Sequence, residues 1–346
     1  VDIQTLNHPD FEEIVSCTDA DSGLRAIIAI HSRRLGPALG GIRMYPYAND
    51  EEALRDVTLL ARAMTYKAAA ARLRLGGGKA VILGDPAKDK TKPLLQAMGR
   101  FINALKGRYI SAKDAGITTA DLVEISQATG YVTGLPESMG GSGDPSPWTA
   151  QGILEGIRAC VREKSGRERL AGLRVVIQGV GAVGFSLAGL LHRENVQLTV
   201  ADTDRKAAQA AQEQFGAEAV SFKDVYSVPG DLFAPCALGG ILNDETLPRL
   251  RFSMIAGGAN NQLSDEIRHD GELLKRKILY APDYIVNAGG LINIYVKDIL
   301  KEKDPTPWIR KIYENLLGVF ACSRERGVGT HQAANQMTEE FLASPA

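Results

Sequence analysis

Two lysines stand twelve residues apart in Lys67-Ala-Ala-Ala-Ala-Arg-Leu-Arg-Leu-Gly-Gly-Gly-Lys79, the second directly behind three glycines. Three glycines offer no side chain to a core; they suit a backbone that turns tightly or lets a ligand approach closely. A lysine behind such a turn can be fixed and partly desolvated. Burial disfavours its charged form and moves its pKa down from about 10.4, toward that of a general base. Catalysis in this chain falls to Lys, Asp or a cofactor. The five histidines (His8, His31, His192, His269, His331) form no HExxH or other metal spacing, so no metal site is expected.

A second signal lies about 100 residues on. Leu173–Gln178 is a short β-branched apolar run that reads as a buried parallel strand. It runs into Gly179-Val180-Gly181-Ala182-Val183-Gly184 and then into a helically patterned stretch, Phe185–His192. Strand, GxGxxG and helix in that order make a dinucleotide fingerprint. Gly179 serves the tight turn, Gly181 the approach of the pyrophosphate and Gly184 the packing of helix on strand. The helix N-terminus offers N–H groups to the phosphates. A second strand, Val196–Ala201, ends at Asp202-Thr203, 18 residues past Gly184 for the acid. A carboxylate there suits the ribose 2′-hydroxyl and repels a 2′-phosphate, so NAD is expected over NADP; Arg205 nearby weakens that preference without reversing it.

The elements around these residues divide the chain. Strands are expected at Glu12–Cys17, Arg25–His31 and Gly41–Tyr47. A helix follows over Glu51–Ala70, opened by Asn49-x-x-Glu52, with Ala53, Leu54, Val57, Leu60 and Met64 as its apolar stripe. Then come a strand at Ala80–Leu83, a helix at Lys92–Leu105, a strand at Tyr109–Ala112 and a helix after Thr118. This order implies a mixed sheet. Gly134–Pro147, rich in Gly, Ser and Pro, reads as a linker or hinge. Beyond it lie a helix at Thr149–Glu163 and later strands at Asp231–Ala234, Phe252–Ala256 and Ile278–Ala281. These end in Pro235-Cys236-Ala237-Leu238, Gly257-Gly258-Ala259-Asn260-Asn261 and Pro282–Asn287 leading to Gly289-Gly290. Ligands of open parallel sheets bind outside the strands' carboxyl ends, so these clusters should share the crevice of the fingerprint. The expected fold is α/β with two domains and a cleft between them. Residues 1–133 form a mixed-sheet domain and 134–321 a Rossmann domain, with helices of 322–346 packing back on the first.

Composition limits the alternatives. At 346 residues the chain suits two cores. A net charge of −1 gives no electrostatic case for nucleic acid or an anionic membrane. No apolar run approaches the roughly 20 residues of a membrane span, and Val1–Asp10 does not read as a signal peptide. Cys17, Cys160, Cys236 and Cys322 are scattered, as free thiols in a reducing cytoplasm would be.

The chain resembles the Glu/Leu/Phe/Val amino-acid dehydrogenases, nearest the leucine, phenylalanine and tryptophan members. The resemblance covers nearly the whole chain. It rests on Gly36-Pro-Ala-Leu-Gly-Gly-Ile-Arg43, Met64-Thr-Tyr-Lys67, Leu75-Gly-Gly-Gly-Lys79, Lys113-Asp114, Pro145-Ser-Pro-Trp-Thr149, Ala234-Pro-Cys-Ala237, Ala259-Asn-Asn261 and Pro282–Ile294. It implies NAD-linked oxidative deamination of an amino acid to a 2-oxo acid and ammonium. Under it Lys67 holds the substrate carboxylate, Lys79 is the general base toward the attacking water, and Asp114 exchanges protons with departing ammonia. Gly40 and Gly41 shape the amino-acid site. Thr149 binds the nicotinamide carboxamide, and Asn260 bridges cofactor and substrate. The cofactor's surround comprises residues 179–184, Asp202, Thr203, Cys236, Ala237, Leu238, Gly258, Ala259, Asn260 and Asn287. The pKa of Lys79 is expected to fall through desolvation and the charge of Lys67. Lys113 stands where leucine enzymes carry an acid, and this extra cation is expected to lower the pKa of Asp114. A homo-oligomer built through the first domain is also implied.

Leu39, Met64, Ala112, Val286, Leu291 and Ile294 are expected to wall the side-chain pocket. All are apolar, which excludes a charged side chain on desolvation grounds. Leu291 and Ile294 resemble the leucine type, so leucine, valine and isoleucine come first and phenylalanine or tryptophan second. Two other readings remain. A non-catalytic NAD(H)-sensing protein would need the fingerprint but none of Lys67, Lys79 and Asp114. A 2-hydroxy-acid dehydrogenase could use Arg43 as a clamp but has no well-placed histidine.

Overall fold

Asn49 opens the longest helix of the N-terminal half as its spacing predicts: its side chain accepts from the Glu52 N–H, and the Glu52 carboxylate accepts from the Ala48 N–H. The computed structural model describes residues 2–344; Val1, Pro345 and Ala346, the ends of the stretches read above, lie outside the described residues. The described chain falls into two units. One runs up to Asp144 and adds Ile294–Glu302 and the chain from Phe341; the other comprises Pro145–Asn293 and Lys303–Glu340.

The first unit contains β1 (Asp2–Leu6), β2 (Glu13–Asp19), β3 (Leu24–Ser32), β4 (Ala38–Tyr45), α1 (Asp50–Ala70), β5 (Gly76–Leu83), α2 (Lys92–Ala104), β6 (Tyr109–Lys113) and α3 (Thr119–Ser126). Its sheet is mixed, in the order β1-β2-β3-β5-β4-β6. The first three strands and β5 pair antiparallel; β4 runs parallel to both β5 and β6. Each face of the sheet has its own core. Ala53, Val57 and Ala61 of α1 pack with Ile14, Ile27 and Val81. On the other face Leu94, Met98, Phe101 and Ile102 of α2 pack with Ile28, Ile42 and Ile82.

Three details differ from expectation. Strand β1 was not anticipated. The three glycines are not a turn: they form the start of β5, and none has positive φ. They are required by close approach of the chain itself, since a Cβ on Gly77 would lie 2.0 Å from the Thr65 backbone nitrogen of α1. The same closeness moves the buried stripe of α1 to small residues, Ala61, Thr65, Ala68 and Ala69, and leaves Leu54, Leu60 and Met64 half-buried.

The second unit contains α4 (Ser146–Ser165), β7 (Arg174–Gln178), α5 (Ala182–Arg193), β8 (Gln197–Ala201), α6 (Arg205–Phe215), β9 (Glu218–Ala219), β10 (Leu232–Pro235), β11 (Met254–Ile255), α7 (Glu266–Lys275), β12 (Leu279–Tyr280), α8 (Asp283–Val286), α9 (Gly289–Ile294, its last residue counted with the first unit), α10 (Thr306–Arg326) and α11 (Thr330–Ala343, which rejoins the first unit at Phe341). Its sheet is wholly parallel, in the doubly wound order β12-β11-β10-β7-β8-β9. No helix among the described residues is long and apolar enough to cross a membrane.

The domain limits also differ. The stretch 134–144 goes with the first unit, as does Ile294–Glu302. Asp298 ties them, accepting from the Gly134 N–H and the Ser142 hydroxyl, both at 2.8 Å. The C-terminal helices stay with the second unit up to Glu340. The start of α11 is fastened there: the Asp270 carboxylate accepts from the His331 and Gln332 N–H groups, and Thr330 donates to the Tyr280 carbonyl.

Candidate active site

In the first unit β4 lies between β5, which carries Lys79, and β6, which leads to Asp114. Gly41 is paired with Ala112 on one side and, at the constant offset of the β4–β5 register, stands level with Lys79 on the other. With no side chain on Gly41, the amine reaches over β4, and Lys79 Nζ meets Asp114 Oδ2 at 2.9 Å. A Cβ on Gly41 would sit 2.7 Å from Asp114 Cβ; one on Gly40 would strike the Gly78 carbonyl oxygen at 1.7 Å. The close approach expected of this glycine pair is therefore used first by the protein's own strands.

Lys79 is only 6 % exposed. Burial holds its pKa below the ordinary lysine value, against the attraction of Asp114. Arg43 adds its repulsion. For Asp114, burial works against ionisation, but Lys79 and Arg43 outweigh it and hold the carboxyl below its usual range. The cation expected beside Asp114 was Lys113. Strand alternation turns that side chain to the opposite face, where it is exposed, and Arg43 takes the place beside the carboxylate.

The sequence offers Arg43 only as a clamp for another reaction and carries no sign of the partners the structure gives it. Its Nε donates to Asp114 Oδ2 at 3.0 Å and its Nη1 to Asp56 of α1 at 3.0 and 3.3 Å. Tyr47 donates to the same Asp56 at 2.5 Å. Period-two alternation from Gly41 was the available signal for Arg43. Nothing in the local pattern of α1 marked Asp56.

The other expected substrate residues occupy varied positions. Leu39 and Ala112 are buried in β4 and β6; Met64 and Lys67 are half-buried on α1. In the second unit Leu291 is buried, while Ile294 is half-buried where the chain rejoins the first unit. Val286 is at the end of α8. It is fully buried against α4, where a Cβ on Gly156 would lie 3.1 Å from its methyls.

The second unit gathers the fingerprint residues at the carboxyl ends of its strands. Gly179 has φ +92°, reserved for glycine, and directly follows β7. Space above Gly181 is open to 4 Å, while a Cβ on Gly184 would lie 1.9 Å from the Gly179 carbonyl oxygen. Gly181 caps α5, which no side chain caps, so the amides of Ala182 to Gly184 begin a helix without a side-chain acceptor. Asp202 directly follows β8, its two oxygens accepting from the Val180 N–H at 2.7 Å and the Asp204 N–H at 2.8 Å; Thr203 comes next, exposed. Cys236, Ala237 and Leu238 follow β10, and Gly258, Ala259 and Asn260 follow β11. Asn287 donates to the Gly258 carbonyl and to Asn260 Oδ1, leaving its own buried Oδ1 without a protein donor. Thr149, in the first turn of α4, donates to the Pro145 carbonyl beside Gly290. The open space at Gly181, the uncapped α5 amides and the orphaned Asn287 acceptor fit a dinucleotide.

Two family models match the chain. One, described as Glu/Leu/Phe/Val dehydrogenase, dimerisation domain, covers residues 11–132, and one for Glutamate/Leucine/Phenylalanine/Valine dehydrogenase covers 201–311. A leucine dehydrogenase of Geobacillus stearothermophilus is 49 % identical over 339 residues, 96 % of this chain and 91 % of that one. A phenylalanine dehydrogenase of Caldalkalibacillus thermarum is 44 % identical over 97 % of this chain and 92 % of that one. The crystal structure of L-tryptophan dehydrogenase from Nostoc punctiforme superposes with a TM-score of 0.86 at 44 % identity, covering 96 % of both chains.

Proposed function

Because the chain belongs to the Glu/Leu/Phe/Val dehydrogenase family and is an amino-acid dehydrogenase, we propose that it catalyses the NAD-linked, reversible oxidative deamination of an apolar L-amino acid, with leucine, valine and isoleucine preferred. The observation that carries this reading is the buried Lys79 amine, 2.9 Å from Asp114 and depressed toward its neutral form.

Residues 179–184, Asp202, Thr203, Asn260, Asn287, Thr149 and the turns at Cys236–Leu238 and Gly258–Ala259 would hold NAD, which supplies the acceptor for the hydride leaving Cα. Lys67 binds the substrate carboxylate as a point charge. Gly40 and Gly41 shape the site by letting Lys79 and Asp114 close in over β4, and Leu39, Met64, Ala112, Val286, Leu291 and Ile294 receive the apolar side chain. Neutral Lys79 takes a proton from water as that water adds to the iminium carbon. The proton held by Lys79 then passes by way of the Asp114 carboxylate to the carbinolamine nitrogen, which leaves as ammonia while the hydroxyl gives its own proton to the freed amine, and the 2-oxo acid remains. Asp114, ionised between two cations, relays that proton and supplies none of its own. The carboxylate of Asp202 favours NAD over NADP by repelling a 2′-phosphate.

Phenylalanine or tryptophan as substrate is the second reading, favoured by the 44 % identity to enzymes named for them. A methylene in such a pocket is worth about 1–3 kcal/mol, so modest reshaping separates the two classes. A panel of twenty amino acids with NAD and NADP, read as kcat/KM at 340 nm, decides. Leucine, valine and isoleucine with NAD should lead; an aromatic substrate ahead of all three sinks the branched-chain preference. We also propose a homo-oligomer built through the first unit, supported by the dimerisation-domain description that matches residues 11–132. A monomeric mass by light scattering would overturn it.

A further inference from the structure

We propose that Arg43 is the positioning residue of this site: braced by Asp56 and Tyr47, it holds the Asp114 carboxylate in place whether or not Lys79 carries its proton. The proposal deepens the reading of Lys79 as base and rests on it.

The argument starts from charge. When Lys79 is protonated, Asp114 Oδ2 is shared between two cations, the amine at 2.9 Å and the guanidinium Nε at 3.0 Å. A base, however, works in its neutral form. Once the amine has lost its proton, Arg43 is the cation still bound to that oxygen. A guanidinium is charged at every working pH, so the carboxylate keeps an ionic partner throughout the cycle. Without it, a half-buried carboxylate beside a neutral amine would be free to swing toward solvent or take up a proton itself.

The geometry suits that duty. Arg43 follows Gly41 by two residues on β4, so its side chain leaves the same face of the sheet. The planar guanidinium uses one nitrogen on each side, Nε for Asp114 and Nη1 for Asp56, which a lysine cannot imitate. Asp56 receives the Tyr47 hydroxyl as well, so the chain Lys79–Asp114–Arg43–Asp56–Tyr47 alternates donor and acceptor along its length. Its outer end lines a cavity of about 340 Å³ together with Tyr45, Glu52, Arg55 and Leu59. The charged and titratable groups facing Arg43 are therefore Asp114 beyond β6, Lys79 on β5, Asp56, Glu52 and Arg55 on α1, and Tyr45 and Tyr47 of its own strand and its continuation.

This guanidinium and its neighbour Asp56 act on Lys79 with opposite signs. Arg43 repels the ammonium form, and Asp56 favours it. The test is the pH profile of kcat/KM for the preferred amino acid in the full-length enzyme, for Arg43→Gln, Arg43→Lys and Asp56→Asn, with melting curves to verify folding. Arg43→Gln should move the rising limb to higher pH by about half a unit or more, and Asp56→Asn should move it to lower pH. Arg43→Gln should also lower kcat about tenfold or more while KM changes less than threefold, since misplacement of a reacting group acts on turnover. Arg43→Lys should return the limb toward its wild-type midpoint but recover less than half of kcat, because charge is restored without the fork. Limbs that stay put in Arg43→Gln and Asp56→Asn, or that move the same way, overturn the proposal. Should Arg43→Gln fail to fold, the Asp56→Asn shift and the Arg43→Lys loss of kcat decide alone. Failure of the underlying reading looks different: Lys79→Ala would then keep its turnover whatever the Arg43 variants do.

Discussion

An amine acts as a base only in the molecules where it carries no proton, so activity depends on where its pKa lies relative to the pH. For Lys79 burial moves that value down, and Asp114 pulls it back up by favouring the charged form. The direction after both is down, so the neutral fraction at any pH below the ordinary value of about 10.4 exceeds that of a surface lysine. In the deamination direction kcat/KM should therefore rise with pH through a midpoint below that value, because the protonated amine cannot accept. A limb centred at or above it would mean the amine is not depressed. Lys79→Ala removes the acceptor, and turnover should fall to less than about a tenth of wild type; rate at saturating amino acid and NAD is the measurement. The sequence singles out Lys79 and Asp114 by their types and by the family motifs, and the structure brings the two to 2.9 Å. Arg43 was visible as a residue but not as a partner, because Asp56, which orients it, lies 13 positions away on a helix. An isolated acid on a helix surface carries no sign of what it will face.

Elements bring such residues together, and here glycine does so by removing volume. Gly76, Gly77 and Gly78 open β5 because neighbouring backbone, the helix α1 and the Tyr109 ring, in that order, lie where their side chains would be. The sequence pattern carried the need for glycine but not its reason, since a turn and a close contact leave the same residue behind. The misjudged stripe of α1 has the same origin: small residues look weakly apolar, yet only they let the helix come this near. Gly77→Ala puts a methyl 2.0 Å from the Thr65 nitrogen, and a backbone atom cannot rotate away. The cost should be about 3 kcal/mol, near the upper end of overpacking, lowering the melting temperature of this unit by roughly 6–12 °C. Gly271, inside α7, makes the opposite case. A Cβ there meets nothing within 4 Å and its φ is not positive, so Gly271→Ala should stabilise by about 0.5–1 kcal/mol through helix propensity. Calorimetric melts of the two variants should move in opposite directions; a neutral Gly77→Ala would remove close approach as the reason for the triplet.

At the scale of the molecule, the two units and their sheet types were readable, because alternation of strand and helix announces a parallel sheet and early hairpin patterns a mixed one. Their limits were not, because the chain leaves the second unit and returns to it. Ile294–Glu302 has the composition of the helices around it, with a π-helical turn at Tyr295–Ile299, and nothing in its residues marks a change of unit. What assigns it is contact: Asp298 with Gly134 and Ser142, and Lys297 with Glu137 at 3.1 Å. Likewise Phe341 rejoins the first unit under the Arg72 guanidinium, 4.0 Å from its ring centre. Asp298 thus fastens the Gly134–Gly143 stretch through Gly134 and Ser142. Asp298→Ala removes two hydrogen bonds to a carboxylate, each worth about 1.5–3 kcal/mol where solvent is excluded and less at this half-buried position. The Gly134 amide should then exchange with deuterium at least about tenfold faster, tenfold corresponding to about 1.4 kcal/mol. Amides of β7 and β10 in the other unit should keep their rates. Equal acceleration in both sheets would mean that Asp298 supports the whole fold; an unchanged Gly134 would mean that Ile294–Glu302 does not brace the first unit at all.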